Sequence, residues 1–395
     1  MDQKDIEEFK RVTQMARSYP EECLKLPLPR RFEFEAFQKT LELVTGNALV
    51  VIDQLVKEGL PAAHVSRILN EDSTYYQTFK LMGITRQQID QLVQMRRFYA
   101  AKAPIFTFRE SLCRRMDDVE IGDSVTAEFF RPPHETCYFE FGRAEERGNL
   151  PYTVFANKRY SLLEGCYISF FESVDQSVLS QYARELMEID PKAPLRCLEI
   201  YLCASPSAEG ESNRTVLNDQ GAYFSLMWTD DSLSIHELLR RQVKLVTETQ
   251  PDSDVEEKMA QSFHNNLDLV ATCLLYLTSQ HRKEINELTL TDLKIQAKNL
   301  KSPAKLKKVQ RKLQKAYDRI VIGPDQDYVP LAESLKRIEG RSGVRPHIRR
   351  PHWAIRRHGE GRAKKRLTFI PMAFVNASEL NDKDRAALTS DYDVR

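Results

Sequence analysis

Pro346 and Pro351 fall five residues apart in the run RPHIRRPHWAIRRHGEGRAKKR, residues 345–366. Each removes a backbone N–H and clashes with the preceding turn, so no regular helix passes through this stretch. The segment must be extended or looped, and any strand it forms belongs at a sheet edge. Strand alternation then sorts its side chains: Arg350, His352, Ala354, Arg356 and His358 share one side, and Arg349, Pro351, Trp353, Ile355 and Arg357 the other. The first side is a cationic ladder. The second has an apolar centre, Trp353 and Ile355, suited to anchor the segment to a core. Residues 368–375 predict a returning strand interrupted at Pro371.

Charge concentrates in the same region. Residues 341–370 carry ten lysines and arginines against Glu360 alone, a net +9 in a chain whose total is +1, so the remainder is −8. A second block, 301–319, holds eight basic residues against Asp318, net +7; with both blocks removed the rest of the chain is −15. Leu306, Val309, Leu313 and Ala316 are spaced by three and four, which predicts a helix for this second block. Such local fields attract phosphate or acidic groups whatever the average charge.

With 42% hydrophobic and 29% charged residues, a 395-residue chain predicts folded domains rather than disorder. The start, MDQKDIEEFK, has no apolar signal core, and an apolar run such as 48–52 falls far short of the roughly 18 residues a membrane span needs. The expected location is cytoplasmic. The seven cysteines are odd in number and none are spaced C-x-x-C, which predicts buried, reduced thiols.

Periodicity divides the chain into three: a helical region at 1–117, an α+β domain at 118–300 and a basic C-terminal region at 301–395. Helices are expected at 35–57, 62–70 and 85–101, the last with Thr85 as cap and Gln88 three residues on. From about 118, strands are expected at 125–130, 136–141, 162–171, 196–203 and 222–229, with helices at 174–188, 232–247 and 252–280 laid on the sheet and a polar loop at 205–221. The fold class is α+β, with a helical N-terminal region, a mixed β-rich centre with packed helices, and a basic extended C-terminal segment.

Of three chemistries open to the Arg-His-Trp segment, two suit it. A metal site is disfavoured, because His352 and His358 on one strand face lie about 20 Å apart at roughly 3.3 Å per residue and His347 faces the other way. A ribonuclease could use these histidines as acid and base with Arg349 and Arg350 on the phosphate. A binding surface uses the arginine forks on phosphates or carboxylates, with Trp353 and the histidines as stacking faces. The chain shows no Gly-rich phosphate loop and no nucleophile elbow. The expected residues of the surface are His347, Arg349, Arg350, His352, Trp353, Arg356 and Arg357, with no catalytic residue, no metal and no cofactor assigned.

Arg345-Pro346-His347-Ile348-Arg349-Arg350, His352-Trp353, Gly359, Gly361, the basic run and the segment Phe369 to Asn376 together resemble the closing segment of a type V-A anti-CRISPR family. Weaker likeness runs through Cys137-Tyr138-Phe139-Glu140, Leu274-Leu275-Tyr276-Leu277 and Ile322-Gly323, so it extends from about residue 120. The family commonly has glycine where this chain has Pro351, whose φ is fixed near −65°. The resemblance implies a phage- or plasmid-encoded interaction protein. Such a protein recognises the nascent N-terminal peptide of the Cpf-type CRISPR effector and causes loss of the mRNA being translated. Its implied partners are that peptide and, through the basic segment, the ribosome or message. The alternative reading of the same residues is a nucleic-acid-binding regulator or a ribonuclease.

Overall fold

The computed structural model describes residues 26–33, 48–71, 86–143, 145–156, 159–204, 221–247, 253–279, 282–313, 315–323, 347–349, 351–370 and 373–375. In chain order the elements are α1 (Leu28–Phe32), α2 (Ala48–Lys57), α3 (Ala62–Glu71), α4 (Arg86–Ala100), β1 (Ile105–Phe108), α5 (Glu110–Asp117) and β2 (Glu120–Ile121). There follow β3 (Thr136–Phe141), β4 (Thr153–Ala156), β5 (Arg159–Val174), α6 (Gln181–Met187), β6 (Leu195–Ala204), β7 (Gly221–Trp228), α7 (Ile235–Thr247) and α8 (Ser253–Thr278). The last are β8 (Glu284–Glu287), α9 (Thr289–Asn299), α10 (Pro303–Leu313), β9 (Arg319–Ile322), β10 (His347–Arg349), β11 (His352–His358), β12 (Lys364–Ile370) and β13 (Ala373–Val375). The fold is α+β, as the change of periodicity predicts. No helix among the described residues is long and apolar enough to cross a membrane.

The central sheet has the order β7-β6-β5-β3-β1-β9-β8, with β4 paired to β5 beside this path. β1 lies parallel to both β3 and β9; the other pairs are antiparallel. Alternation sends Cys137, Phe139 and Phe141 of β3 into one core with α5, α7 and α8, and Tyr138 into a second core with α1–α4. The sheet is thus covered on both faces, which is why all six residues of β3 are buried. On the second face Tyr138, Tyr167, Tyr201 and Tyr223 stand in register across four strands.

That face also carries three fully buried carboxylates, Glu140, Glu164 and Glu199. A buried charge persists only when paired and hydrogen-bonded. Glu164 accepts from the Leu28 backbone N–H (2.7 Å), at the start of α1, and from the buried Arg31 guanidinium (2.8 Å). Glu199 accepts from the Ala62 N–H (2.6 Å), at the start of α3, from Gln94 (2.7 Å) and from Arg97 (2.6 Å). Glu140 accepts from Thr107 (2.6 Å) and the Tyr317 hydroxyl (3.0 Å). Glu164 and Glu199 therefore tie the first helices to the sheet through helix N-termini, where negative charge is favoured.

The predicted strand at 136–141 is present at its expected bounds, and the strands at 162–171, 196–203 and 222–229 and the helices at 62–70, 85–101, 232–247, 252–280 and in the 301–319 block are present within a few residues of theirs. Three expectations are corrected. Residues 125–130 form no strand: Ala127–Phe129 is a single 3-10 turn, because Ala127 N–H bonds Leu233 O (2.9 Å) and the buried Val125, Ala127 and Phe130 do not alternate. Residues 174–188 are not one helix: Val174 ends β5, and α6 starts only where Ser180 caps the Ala183 N–H (3.1 Å). The helical reading of the first 117 residues misses β1, and the sheet takes a further strand, β9, from the C-terminal block. Cys113, Cys137, Cys166, Cys197, Cys203 and Cys273 are free and buried. Burial pushes the thiols of Cys113, Cys137, Cys166, Cys197 and Cys273 up, which makes them poor nucleophiles. Cys23, Thr85, residues 35–47 and the loop at 205–220 lie outside the described residues.

Candidate functional site

The Arg-His-Trp segment is extended over 347–349 and 352–358, one of the two courses its prolines allow. The expected edge position is corrected: β11 lies between β12 and β2 in a three-stranded sheet, because Pro351 stands just before the strand and takes no N–H from its ladder. β11 and β12 form an antiparallel hairpin with Trp353 opposite Phe369, Ile355 opposite Leu367, Arg356 opposite Arg366, Arg357 opposite Lys365 and His358 opposite Lys364. The connection needs a positive φ, which Gly359 supplies at 80°. β10 pairs separately with β13.

The hairpin is moored at one end. β2 lies parallel to β11, with Glu120 beside His352 and Ile121 beside Trp353. The Glu120 N–H donates to Pro351 O (3.1 Å) and the Gly122 N–H to Trp353 O (3.3 Å). Gly122 permits this approach, since a Cβ there would sit 2.8 Å from Trp353 O. Trp353 is 0% exposed and its ring lies 5.0 Å from that of Phe369. Its indole N–H is buried without a hydrogen-bond partner among the described residues. Trp353 is therefore an anchor. The expectation of a stacking face is corrected, because alternation points the indole into the core with Ile121 and Leu367.

Beyond the mooring the hairpin projects cations. Arg356, Arg357, Arg362, Lys364, Lys365 and Arg366 are all exposed, and the His358 imidazole is exposed beside them. Like charges directly opposite on paired strands oppose folding. One of them is relieved: Lys365 Nζ lies 2.6 Å from Glu128 Oε1. Against the desolvation that burial imposes, the hydrogen bonds from Lys365 and Thr126 and the nearby Arg357 hold the Glu128 carboxyl below its usual range. Arg356, His358 and Lys364 have no ion-pair partner among the described residues. His352 and His358 stand at opposite ends of β11, about 20 Å apart by strand rise, too far to act on one phosphate. His347 and Arg349 belong to β10, and Arg350 lies outside the described residues. The structure thus places His352, Trp353, Arg356 and Arg357 on one hairpin.

Behind β2 opens a cavity of about 420 Å³ that sequence reasoning did not find. Met116, Val119, Ile121 and Leu269 give it apolar walls, and Asp117, Glu120, Asp123, Asp268 and His236 give it polar ones. The Tyr152 hydroxyl, 3.2 Å from both Asp117 Oδ1 and Cys113 O, sits at its side. Desolvation raises the Asp117 carboxyl despite the Tyr152 hydrogen bond. Burial likewise raises that of Asp268, against the opposing pull of His264 and His236; His264 Nε2 lies 3.4 Å from Asp268 Oδ2. Apolar walls with a few converging polar groups are the general form of a ligand-binding cavity. Asp117, Tyr152, His236 and Asp268 come from four distant parts of the chain. The local signal was the run at 116–123, which places Asp117, Glu120 and Asp123 among apolar residues and supplies half of the lining.

A family model described as AcrVA2-like, the anti-CRISPR type V subtype A2 family, matches residues 106–377. A solved structure described as the crystal structure of AcrVA2 aligns at 16% identity, covering 94% of this chain and 98% of that chain, with a TM-score of 0.38. No curated protein matches the chain.

Proposed function

Because the chain belongs to the AcrVA2-like family of type V subtype A2 anti-CRISPR proteins, we propose that it lowers production of a type V-A effector nuclease during the effector's synthesis. In this reading the protein binds the nascent amino-terminal peptide of the effector, and its cationic hairpin contacts the message or the ribosome, leading to loss of that mRNA. The observation that carries the reading is that cavity and hairpin share one strand. Glu120 and Ile121 of β2 line the cavity and also pair with His352 and Trp353. A peptide seated in the cavity bears directly on the strand that holds the hairpin. The mixed lining suits the peptide, and the unpaired cations suit phosphate.

The test is a reporter gene led by the codons for the effector's first residues, expressed with and without the protein. Synonymous recoding changes the RNA and keeps the peptide; silencing should persist. A compensated frameshift keeps most of the RNA and changes the peptide; silencing should vanish. Silencing that follows the nucleotide sequence instead would replace peptide recognition with direct reading of nucleic acid by the basic segments.

A further inference from the structure

α10 is the second concentration of positive charge, and its exposed cations have no ion-pair partner among the described residues. Leu306, Val309 and Leu313 turn inward, with Val309 buried. At 100° per residue, Lys305, Lys307, Lys308, Arg311 and Lys312 then fan over an arc of about 160° on the opposite side. All five are exposed, and none has an ion-pair partner among the described residues. Cations three and four apart on a helix repel one another.

The acid nearest in sequence does not relieve them. Asp318 is spent on the start of α9, where its carboxylate accepts from the Leu290 N–H (2.8 Å), the Thr291 N–H (3.0 Å) and the Thr291 hydroxyl (2.6 Å). Glu287 is likewise held by Arg319 (2.6 Å) and Arg143 (3.0 Å). The helix is also fixed in place. Pro303 opens it, and the Arg30 guanidinium donates to Leu313 O (3.2 Å) and Ala316 O (2.9 Å) at its end.

We propose that the exposed face of α10 is a docking surface for the phosphate backbone of RNA, separate from the β11–β12 hairpin. The chemistry of the face selects among polyanions. A helix lying on a membrane needs an exposed apolar stripe, and the apolar residues of α10 face inward. A protein interface is built on aromatic and arginine anchors and is depleted in lysine, whereas four of these five cations are lysines. Flexible ammonium groups spread along a rigid rod suit a sequence-independent row of phosphates. The choice of RNA over DNA rests on the proposed function, which puts the protein at a translated message.

The experiment uses the full chain and no effector peptide, so its result is independent of peptide recognition. A fluorescent single-stranded RNA is titrated by anisotropy across a salt series, with duplex DNA, polyglutamate and anionic phosphatidylserine vesicles as further arms. The variant Lys305→Ala/Lys308→Ala/Lys312→Ala keeps helix propensity, and its circular dichroism should match that of the wild type. Three lost phosphate contacts at about 0.7 each should reduce the slope of log K against log salt by about 2. Arg356→Ala/Arg357→Ala should change the slope separately and additively. An unchanged slope in the triple variant, absence of RNA binding by the wild type, or tighter binding to duplex DNA, polyglutamate or vesicles than to RNA would each overturn the proposal.

Discussion

Two substitutions of Trp353 should part company. The side chain is 0% exposed, rests 5.0 Å from the Phe369 ring, and forms the apolar mooring of a hairpin otherwise held to β2 by two residues in register. Trp353→Ala should cost about 3–5 kcal/mol through lost burial and the cavity left behind. Trp353→Phe should cost far less. Trimming the indole to a phenyl forfeits roughly 1–2 kcal/mol of burial and packing. It also deletes a buried N–H that has no acceptor among the described residues, an arrangement that opposes folding by about 1–3 kcal/mol. The terms nearly cancel, so the variant should lie within about 1 kcal/mol of the wild type. Urea unfolding gives the global value, and amide hydrogen exchange in β11 and β12 shows whether the hairpin opens first. If Trp353→Phe is as damaging as Trp353→Ala, the indole N–H is paired and the mooring is polar rather than apolar.

Gly122→Ala would place a Cβ 2.8 Å from the Trp353 carbonyl oxygen, so the β2–β11 contact should loosen and exchange in 352–354 rise, with a cost of about 1–3 kcal/mol; unchanged exchange would show that the strands can separate without loss. Arg97→Met leaves the Glu199 carboxylate buried without its cation and should cost about 3–5 kcal/mol in urea melts; adding Glu199→Gln should recover part of that loss, and a double variant no better than the single would contradict the pairing. The Asp268 carboxyl is raised above its usual value, so its contribution favours the folded state below about pH 3.8 and is lost as pH rises through the folded value. Asp268→Asn should therefore stabilise the protein at neutral pH and leave its stability in acid unchanged, as read from thermal midpoints over pH; a variant less stable at neutral pH would reverse the sign of the argument.

The hairpin was legible because Pro346 and Pro351 exclude a helix, and in an extended chain alternation separates Trp353 from His352 and Arg356. Long strands such as β3 and β6 were legible from their runs of aromatic and β-branched residues. The four-residue strands β1 and β9 were not, since each is too short to show a period and they pair with each other across more than two hundred residues of sequence. The glutamate sockets were hidden for a different reason. A charged residue in a strand reads as a solvent-facing position, yet Glu164 and Glu199 face helices whose arginines are 133 and 102 residues distant. The cavity was hidden for a related reason: residues 116–123 supply half of its lining, with Asp117, Glu120 and Asp123, but an acidic run reads as a solvated turn until Tyr152, His236 and Asp268 are brought against it from distant segments.

The most direct measurement is calorimetric titration of the full chain with a synthetic amino-terminal peptide of the type V-A effector, at low and high salt. Saturable binding that changes little with salt, and that weakens when Asp268→Asn alters the cavity, is the predicted result. Absence of binding, or binding that collapses with salt and survives the cavity change, would contradict peptide recognition behind β2.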